Sequence, residues 1–541
     1  MPERNSLIWG RTPGWWAGLL ILATTLARLW FIGSGQVELV QDEAQYWDWS
    51  RTLQLSYFTK PPLIAFLIRL STALLGTSDF AVRLPAVAGS CAVQAALYLG
   101  LARGFGRPRL GLAALVAANG MLLFMVSGVL MTTDNPLLVC WTAALFLLHA
   151  ALRKTPGIGL LAALALAVAL GCLAKYMMLA IVPVALIAML LLRRAGLLAP
   201  GAAGRVLLAL AAGSLLGLAP VVIWNVQHDW VGYRHVATLA GVQGQAARTF
   251  LRLDRLPEYL GGQVGLVTPW WLLFMLWGGV RAWRLAWRGA GEGGVPGSAG
   301  LDRGQAAVLA AGFWPLWLGV LLWSLHAKIQ PNWPAVSYAA GAALAGAAFL
   351  DLVGRRGLRR LRVCAWPALS LLLFLVAHGH DWLPIPYRAE IPAPFRAEPV
   401  VVENPAVRLK GWSHLGAEVE RLRMTAFADP AKVFIFANNY DLTAALAFHT
   451  PGRPRTYCVN VGRRYNQYDL WPGPQDKLGW DAIYVRQKFK EAIEPAVDEL
   501  FSHTVQLHFQ TLHEDRPARQ FTIYLCYGFK GPWPQGLGTG Y

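Results

Sequence analysis

A polar segment near the N-terminus, residues 36–64, carries the side chains best suited to chemistry in this 541-residue chain. It places Asp42 beside Glu43 and follows them with Lys60 in a Lys-Pro-Pro corner, among tyrosines and tryptophans. A carboxylate can take the proton from an attacking hydroxyl, while cations stabilise the negative charge on a departing phosphate. The pattern therefore predicts group transfer from an anionic leaving group, with Asp42 as the base and Glu43 as its orienting neighbour.

Other polar residues in breaks between apolar runs extend this candidate site. The predicted donor phosphate-binding residues are Lys60, Lys175, Arg234 and Lys328, and the predicted substrate-binding residues are Tyr57, Tyr176, His326, Asn332 and Trp333. Each lysine has an alternative interpretation, because lysines beside a bilayer also snorkel to its surface. The aromatic residues likewise fit an interfacial belt around a solvated loop.

The composition places these residues in a membrane protein. Hydrophobic residues make up 55% of the chain and charged residues 14%, and the mean hydropathy is +0.41. The net charge of +18 arises from short basic clusters between apolar runs. Such clusters are typical of the cytoplasmic loops of membrane proteins, so we exclude nucleic acid as a partner.

Eleven apolar runs are long enough to cross a bilayer. They lie near residues 14–33, 80–102, 109–131, 136–152, 157–174, 176–192, 205–224, 264–287, 305–325, 334–352 and 362–379. A twelfth run, 61–76, is shorter, begins with two prolines and contains Arg69. We expect it to lie in the interface. With this run not crossing, the basic clusters between the spans fall on the side of Arg4 and Arg11.

The composition becomes much more polar after residue 379. Segments 433–437, 456–461, 482–485 and 521–527 are predicted to be strands, and segment 441–449 is predicted to be a helix. The sequence thus predicts a membrane domain (1–379), a Pro-rich linker (380–405) and a C-terminal α/β domain outside the membrane (406–541). Cys458 and Cys526 are the two cysteines that could pair there, and the sequence leaves their pairing open.

Four motifs in order give this chain a resemblance to a known family. They are the acidic pair 42–43, YFTKPPL at 57–63, FAVRLP at 80–85 and TDNP at 133–136. Together they resemble glycosyltransferase family 39 and the related lipid A aminoarabinose transferases, which have the GT-C fold. The resemblance implies that Asp42 is the catalytic acid or base, that Asp134 is a second acidic site residue and that Lys60 contacts a carrier phosphate. It also implies juxtamembrane helices after the first span.

The predicted function is that of an inverting hexosyl- or pentosyltransferase. It would take a sugar from a polyprenyl-phosphate carrier and transfer it to lipid A, a glycan or another envelope lipid. We expect a multi-pass protein of a bacterial inner membrane, embedded among membrane lipids, with its active site and C-terminal domain facing the periplasm. No cofactor is predicted, and the sequence leaves a divalent metal open.

Three other functions fit parts of the sequence. A protein O-mannosyltransferase would share the same site but need a groove for an extended peptide. A flippase or transporter of a lipid-linked sugar would place charged or broken-helix sites near the middle of the membrane, often in two related halves. A non-catalytic envelope-binding protein would use the C-terminal domain alone, and would leave the acids and lysines of residues 42–60 without a role.

Overall fold

The computed structural model describes residues 7–239, 252–288, 300–353, 358–378, 388–391, 400–403, 407, 409–487, 490–513 and 515–534. The helices of the membrane part are α1 Pro13–Gly33, α2 Gln41–Ser50, α3 Leu63–Leu75, α4 Asp79–Leu99, α5 Pro108–Asn119, α6 Leu122–Ser127, α7 Asp134–Arg153, α8 Ile158–Ala174, α9 Ile181–Arg194, α10 Ala202–Gln227, α11 Val231–Leu239, α12 Leu256–Val267, α13 Pro269–Trp287, α14 Arg303–Ser324, α15 Ser337–Val353 and α16 Leu358–His378.

Seven helices in the described ranges are long and apolar enough to cross a membrane, or eight if one bent pair counts as a span. They are Pro13–Gly33, Asp79–Gly104, Asp134–Arg153, Tyr176–Arg194, Ala202–Gln227, Arg303–Ser324 and Trp333–Val353. The bent pair, Leu253–Val267 and Pro269–Trp287, turns by 100°. The chain is therefore a multi-pass membrane protein, and the predicted count of eleven spans stays a prediction.

One predicted span is wrong as a continuous helix. The run 109–131 forms α5 and α6, which are separated at Gly120 and Met121. A Cβ atom on Gly120 would lie 2.3 Å from Nε1 of Trp271 on α13, so only glycine permits this close approach. The break is therefore set by packing against a distant helix.

The short helix α3 replaces the apolar run 61–76. Its 13 residues span about 20 Å, which is less than the roughly 30 Å of a bilayer's hydrocarbon core. Its buried face, which includes Ile64 and Ile68, packs against α2 and α4. A short helix at this position agrees with the juxtamembrane helix expected from the sequence.

Charges are distributed unequally between the two ends of the helical bundle. At the C-terminal end of α7, Arg153 lies 3.9 Å from Asp302, which caps α14. At the C-terminal end of α9, Nε of Arg194 donates to the carbonyl oxygen of Trp287 at the end of α13. Asp134 begins α7 at the opposite end. Among the described residues, Arg153 and Arg194 thus lie at one end of the bundle and Asp134 at the other.

The tail forms a small mixed sheet flanked by helices. Its elements are β1 Arg388–Ile391, β2 Val400–Glu403, α17 Trp412–Thr425, β3 Val433–Ala437, α18 Tyr440–His449, β4 Thr456–Cys458, α19 Gln467–Leu470, β5 Asp481–Arg486, α20 Pro495–Asp498, β6 His503–His513 and β7 Arg516–Tyr527. The strand order is β4-β3-β5-β7-β6, with the first three strands parallel and the last two antiparallel to their neighbours. This confirms the four predicted strands and the predicted helix.

Two further features of the tail depart from the sequence analysis. Strand β6 was missed because most of its side chains are exposed or half-buried, so it lacks a clear apolar face. Strands β1 and β2 pair antiparallel within the predicted linker, whose remaining residues lie outside the described ranges. The division into three domains stays a prediction.

The cysteine pair considered for a disulfide is not bonded. Cys458 and Cys526 are both buried free thiols. They lie on β4 and β7, which are separated by two strands in the sheet. Three strand spacings of roughly 4.8 Å put them far beyond the reach of a disulfide.

The sheet domain packs directly on the polar segment of the membrane part. The rings of Trp47 on α2 and Phe448 on α18 meet edge to face, with centroids 4.9 Å apart. The hydroxyl of Tyr468 donates to Oδ2 of Asp48 at 2.8 Å, and the backbone N–H of Phe58 donates to Oε1 of Gln467 at 2.7 Å. The tail therefore helps to hold the segment that contains Asp42 and Lys60.

The clustering of arginines at one end of the bundle predicts the orientation of the chain. Reporters fused after Arg109 and Arg194 should report the cytoplasm, and reporters fused after Asp254 and Asp429 the periplasm, because basic loops are retained inside. Paired phosphatase and fluorescent-protein fusions measure both compartments. A periplasmic signal after Arg109 would show that residues 61–76 cross the membrane.

Candidate active site

Helix α2 carries the acidic pair on its first turn. The N–H of Val40 donates to Oε2 of Glu43, which closes the N-terminus of the helix. Negative charge is favoured there, because the unpaired N–H groups of a first turn form the positive end of the helix dipole. Neighbouring residues on a helix differ in direction by about 100°, since a turn takes 3.6 residues. Asp42 and Glu43 therefore face different surroundings.

Glu43 faces the protein interior and makes an ion pair with Arg83 of α4. Both side chains are buried, and Nη2 of Arg83 lies 2.7 Å from Oε2 of Glu43. Oε1 of Glu43 also accepts from the backbone N–H of Met131 at 2.8 Å, while Arg83 donates to the carbonyl oxygens of Val37 and Glu38. The carboxylate of Glu43 thus holds α2 to α4 and to the residues before α7, and the catalytic role expected for Glu43 as the neighbour that orients Asp42 stays a prediction.

Asp134 joins three parts of the bundle. Its Oδ1 accepts from Nζ of Lys175 at the end of α8, and its Oδ2 accepts from Nδ2 of Asn332, just before α15, both at 2.7 Å. The carboxylate is buried, and both its oxygens are bound to donors. The structure therefore brings together three predicted site residues that are distant in sequence.

Lys60 and Asp42 complete this group, here called the polar cluster: Asp42, Lys60, Asp134, Lys175 and Asn332. Burial lowers the pKa of Lys60 to about 8, with a further lowering by Lys175 that Asp134 and Asp42 oppose. Burial raises the pKa of Asp42, and Lys60 opposes that change. The Asp42 side chain is nevertheless exposed to solvent. The raised pKa and the solvent exposure are both explained if Asp42 lines a recess. Protein surrounds the side chain on most sides, and water still reaches it.

Tyr57 is not at the surface of this recess. Its ring is fully buried and stacks on Trp49, with centroids 4.6 Å apart. Its hydroxyl donates to the carbonyl oxygens of Trp49 and Thr52. In this structure Tyr57 fixes the loop that leads to Lys60, and the substrate contact predicted for it stays a prediction.

Lys328 and His326 lie on the segment before Asn332. Nζ of Lys328 is 3.7 Å from Oε1 of Glu258, and both side chains are largely exposed. Within the described residues it makes no hydrogen bond or ion pair with the polar cluster. The ring of His326 meets that of Trp323 edge to face at 5.5 Å. The structure thus does not join Lys328 to the phosphate site predicted for it.

The remaining predicted residues line the neighbourhood of the polar cluster. Tyr176 follows Lys175, is half-buried, and its ring centroid is 5.8 Å from that of Tyr233 on α11. Arg234 follows on α11 with an exposed side chain, and Trp333 is half-buried directly after Asn332. Their predicted contacts with donor and substrate stay predictions.

The sheet domain contributes residues that the sequence analysis missed. The charge of Asp42 acts on Tyr440 at the start of α18, where burial raises the pKa of the tyrosine. Arg464 acts on both Tyr440 and His235 of α11, and burial lowers the pKa of His235 to about 4. No local signal could have shown this, because Tyr440 is about 400 positions from Asp42 and reaches it only through the packing of α18 on α2.

The polar cluster offers two complementary reactive groups. A carboxylate with a raised pKa is a stronger base than an ordinary aspartate, and a lysine with a pKa of about 8 is still mostly charged at neutral pH. Among the residues that the structure describes, no three His, Cys, Asp or Glu side chains are grouped as metal ligands. That no metal is needed stays a prediction.

The fold is the GT-C fold of membrane glycosyltransferases. Two crystal structures of ArnT from Cupriavidus metallidurans, one in the apo state and one bound to undecaprenyl phosphate, match 96% of this chain and 99% of their own. The TM-scores are 0.58 and 0.61 at 14% sequence identity. At this low identity the likeness establishes the fold alone. It confirms the predicted fold class, a helical membrane protein with a C-terminal sheet domain.

Sequence comparison adds more specific relatives. Residues 59–224 match the family model described as dolichyl-phosphate-mannose-protein mannosyltransferase. The lipid A galacturonosyltransferase RgtD of Rhizobium johnstonii is 31% identical over 334 residues, which are 60% of this chain and 64% of that protein. The match thus spans less than two thirds of that relative. The chain resembles the lipid A transferases, as its motifs indicated.

The Glu43–Arg83 pair predicts a structural defect in one variant. Glu43→Gln should lower the free energy of unfolding by about 3–5 kcal/mol, because it leaves the buried Arg83 charge without a counter-ion. The thermal unfolding midpoint in detergent measures this. The matched control is Glu258→Gln, which breaks an exposed ion pair and should leave the midpoint unchanged. Equal midpoints for the two variants would contradict this role of Glu43.

Proposed function

We propose that this chain is a glycosyltransferase that moves a sugar from a polyprenyl-phosphate carrier to lipid A or another envelope lipid or glycan. The polar cluster carries the proposal, because it sets a solvent-exposed carboxylate with a raised pKa beside a half-buried lysine with a lowered pKa. The proposal places the protein in a bacterial inner membrane with this cluster at the periplasmic side. The similarity to the lipid A galacturonosyltransferase RgtD and the undecaprenyl phosphate bound to ArnT support it.

In the proposed reaction, Asp42 acts as general base. It takes the proton of an acceptor hydroxyl as that oxygen attacks the anomeric carbon of the sugar. The bond from this carbon to the phosphate oxygen breaks, and polyprenyl phosphate leaves with the electron pair. A single displacement of this kind inverts the anomeric configuration. Burial supports this role, because it raises the pKa of Asp42 and so strengthens the carboxylate as a base.

Lys60 is the proposed phosphate-binding group. Its charge would stabilise the negative charge that develops on the departing phosphate. Lys175 is held by Asp134 at 2.7 Å, which leaves its remaining N–H groups for the same phosphate. Asp134 is thus proposed to position Lys175 and Asn332, since both its oxygens already accept their hydrogen bonds.

A second function, protein O-mannosylation, is favoured by the family model that matches residues 59–224. It would use the same donor chemistry on a serine or threonine hydroxyl. Purified protein given a polyprenyl-phosphate sugar together with lipid A and an unstructured peptide separates the two functions. Sugar found by mass spectrometry on lipid A supports the proposal, and sugar found only on the peptide supports the alternative.

The role of Asp42 predicts a large loss of turnover on one isosteric change. Asp42→Asn should lower kcat on the order of 10²- to 10⁴-fold, because the amide cannot take up the proton. Donor affinity and the unfolding midpoint should change little, since the side chain is solvent-exposed. Turnover of the unmodified chain should fall toward acidic pH, as Asp42 becomes protonated below its raised pKa.

Asp134→Asn is the matched comparison within the same cluster. It should weaken the hold on Lys175 and lower turnover by less than Asp42→Asn, since Asp134 does not accept the proton. Transfer in nanodiscs and donor binding are measured for both variants. If Asp42→Asn keeps near-normal turnover and Asp134→Asn does not, the base is Asp134.

The lowered pKa of Lys60 predicts a pH-dependent donor affinity. Well below pH 8 the lysine is charged and binds phosphate, and as the pH rises through about 8 it loses its proton and the affinity should fall. Lys60→Arg should remove this dependence, because arginine keeps its charge, while its planar group restores the affinity only in part. Titration of undecaprenyl phosphate from pH 6.5 to 9.5 tests this. An identical pH profile in Lys60→Arg would exclude Lys60 as the phosphate ligand.

A further inference from the structure

Three adjoining clefts run along the sheet domain around the turn formed by Trp471, Pro472 and Gly473. The largest has a volume of about 510 Å³ and lies between the start of β3, the residues that lead into β4, and the loop before β5. The second is about 330 Å³ and shares Pro472 and Gly473 with the first. The third is about 240 Å³ and shares Arg455 and Pro472 with the first. These clefts are called the tail groove.

The lining of the tail groove combines aromatic rings with hydrogen-bonding side chains. The aromatic residues include Tyr457, Trp471, Trp480 and Trp533, and the polar residues include Arg455, Gln475, Asp476 and Lys477. Rings bind the C–H faces of sugars, while amides, carboxylates and guanidinium groups bind their hydroxyls. A concave site with few polar groups among aromatic walls is the usual form of a small-molecule site.

Two cations are fixed in the largest cleft by the aromatic residues. The guanidinium of Arg455 lies 5.5 Å from the ring centroid of Tyr457, and one of its N–H groups donates to the carbonyl oxygen of Pro472. Nζ of Lys477 lies 4.3 Å from the ring centroid of Trp480, with only 17% of the side chain exposed. Asp476 is the single acid that lines this cleft, and it pairs with Lys477 at 3.2 Å, so the charged side chains leave one net positive charge. This balance favours an anionic ligand.

The tail groove ends close to the polar cluster. Its third cleft is lined by Asp48, Arg51 and Thr52 at the C-terminal end of α2. Asp42 lies on the first turn of the same helix, six residues earlier. Asp42 and Asp48 are therefore about 9 Å apart along the helix axis, at 1.5 Å per residue. Their side chains also differ in direction by about 120°, at 100° per residue, so a saccharide in the groove has to follow the surface of α2 to reach Asp42.

We propose that the tail groove binds an anionic saccharide, a short run of sugar rings that carry phosphate or carboxylate groups. Arg455 and Lys477 bind the anionic groups, and the tryptophans contact the rings. The ligand is the glycan part of the acceptor, which the groove directs toward Asp42. This last assignment rests on the proposed function, whereas binding of the saccharide does not.

Binding is tested on the full-length Asp42→Asn protein in nanodiscs without a sugar donor, so that no transfer takes place. The probes are a glucosamine disaccharide with two phosphates and no acyl chains, its dephosphorylated form, and a galacturonic acid disaccharide, each titrated by calorimetry. We expect at least one anionic probe to bind about tenfold more tightly than the neutral disaccharide, since one hydrogen bond to a charged group changes an affinity by about this factor. The two anionic probes distinguish phosphate from carboxylate as the recognised group. Equal affinity for all three probes would overturn the proposal.

Variants locate the site. Arg455→Gln and Lys477→Gln should each weaken binding of the anionic probe by about tenfold. Arg421→Gln removes an arginine on α17 that pairs with Glu418 outside the groove, and it should leave binding unchanged. Unfolding midpoints are measured beside each titration, and a variant with a lowered midpoint is replaced by Trp480→Leu. Loss of binding in Lys60→Ala with normal binding in the groove variants would place the saccharide in the polar cluster and overturn the proposal.

The transfer reaction separates this proposal from the proposed function. In the active protein, the groove variants should raise the KM for the acceptor and leave kcat and the donor KM unchanged. A protein that binds the anionic probe through Arg455 and Lys477 but transfers sugar to no acceptor would retain the groove and refute the glycosyltransferase. Normal acceptor KM in both groove variants would refute the groove as the acceptor site.

Discussion

The buried ion pair between Glu43 and Arg83 is the interaction on which the geometry of the site depends. Burying two opposite charges costs several kcal/mol for each ion, and the pair is stable only because its hydrogen-bonding groups find partners. Here Glu43 also binds the backbone of Val40 and Met131, and Arg83 binds two carbonyl oxygens before α2. The pair thereby fixes the first turn of α2 against α4 and the start of the segment that leads to α7. The direction of Asp42 relative to Asp134 follows from this fixed turn.

A second constraint comes from outside the helical bundle. The sheet domain holds α2 through the contact of Trp47 with Phe448 and the hydrogen bond from Tyr468 to Asp48. It also holds the loop after α2, because Gln467 accepts from the backbone N–H of Phe58, two residues before Lys60. The base and the phosphate-binding lysine of the proposed reaction are therefore supported from both sides. The folded tail thus lies at the same end of the bundle as the polar cluster.

Some charged groups of the site are paired by direct contacts, and others are not. Asp134 is saturated by Lys175 and Asn332, which removes it from proton transfer in the resting protein. Asp42 and Lys60 interact electrostatically without such a direct bond. Burial raises the pKa of Asp42 and lowers the pKa of Lys60, and each shift favours the neutral form of the group. Two groups whose pKa values are moved toward neutral pH are suited to proton transfer and anion binding, respectively. The same physical effect, partial loss of solvent around groups that protein surrounds, shifts both pKa values.

The sequence by itself determined the membrane class, the polar segment, the family resemblance and four tail strands. These are local signals, because apolar runs, short motifs and alternating strands can each be recognised within about 20 residues. Only the tertiary structure decided that Glu43 binds Arg83, that Tyr57 is buried, and that the run 109–131 breaks where Gly120 meets Trp271. Each of these three contacts joins residues that are distant along the chain, with separations from eight to about 150 positions. Residues brought together by packing leave no periodic pattern in sequence, so contacts such as that between Asp48 and Tyr468 emerge only when the helices and the sheet assemble.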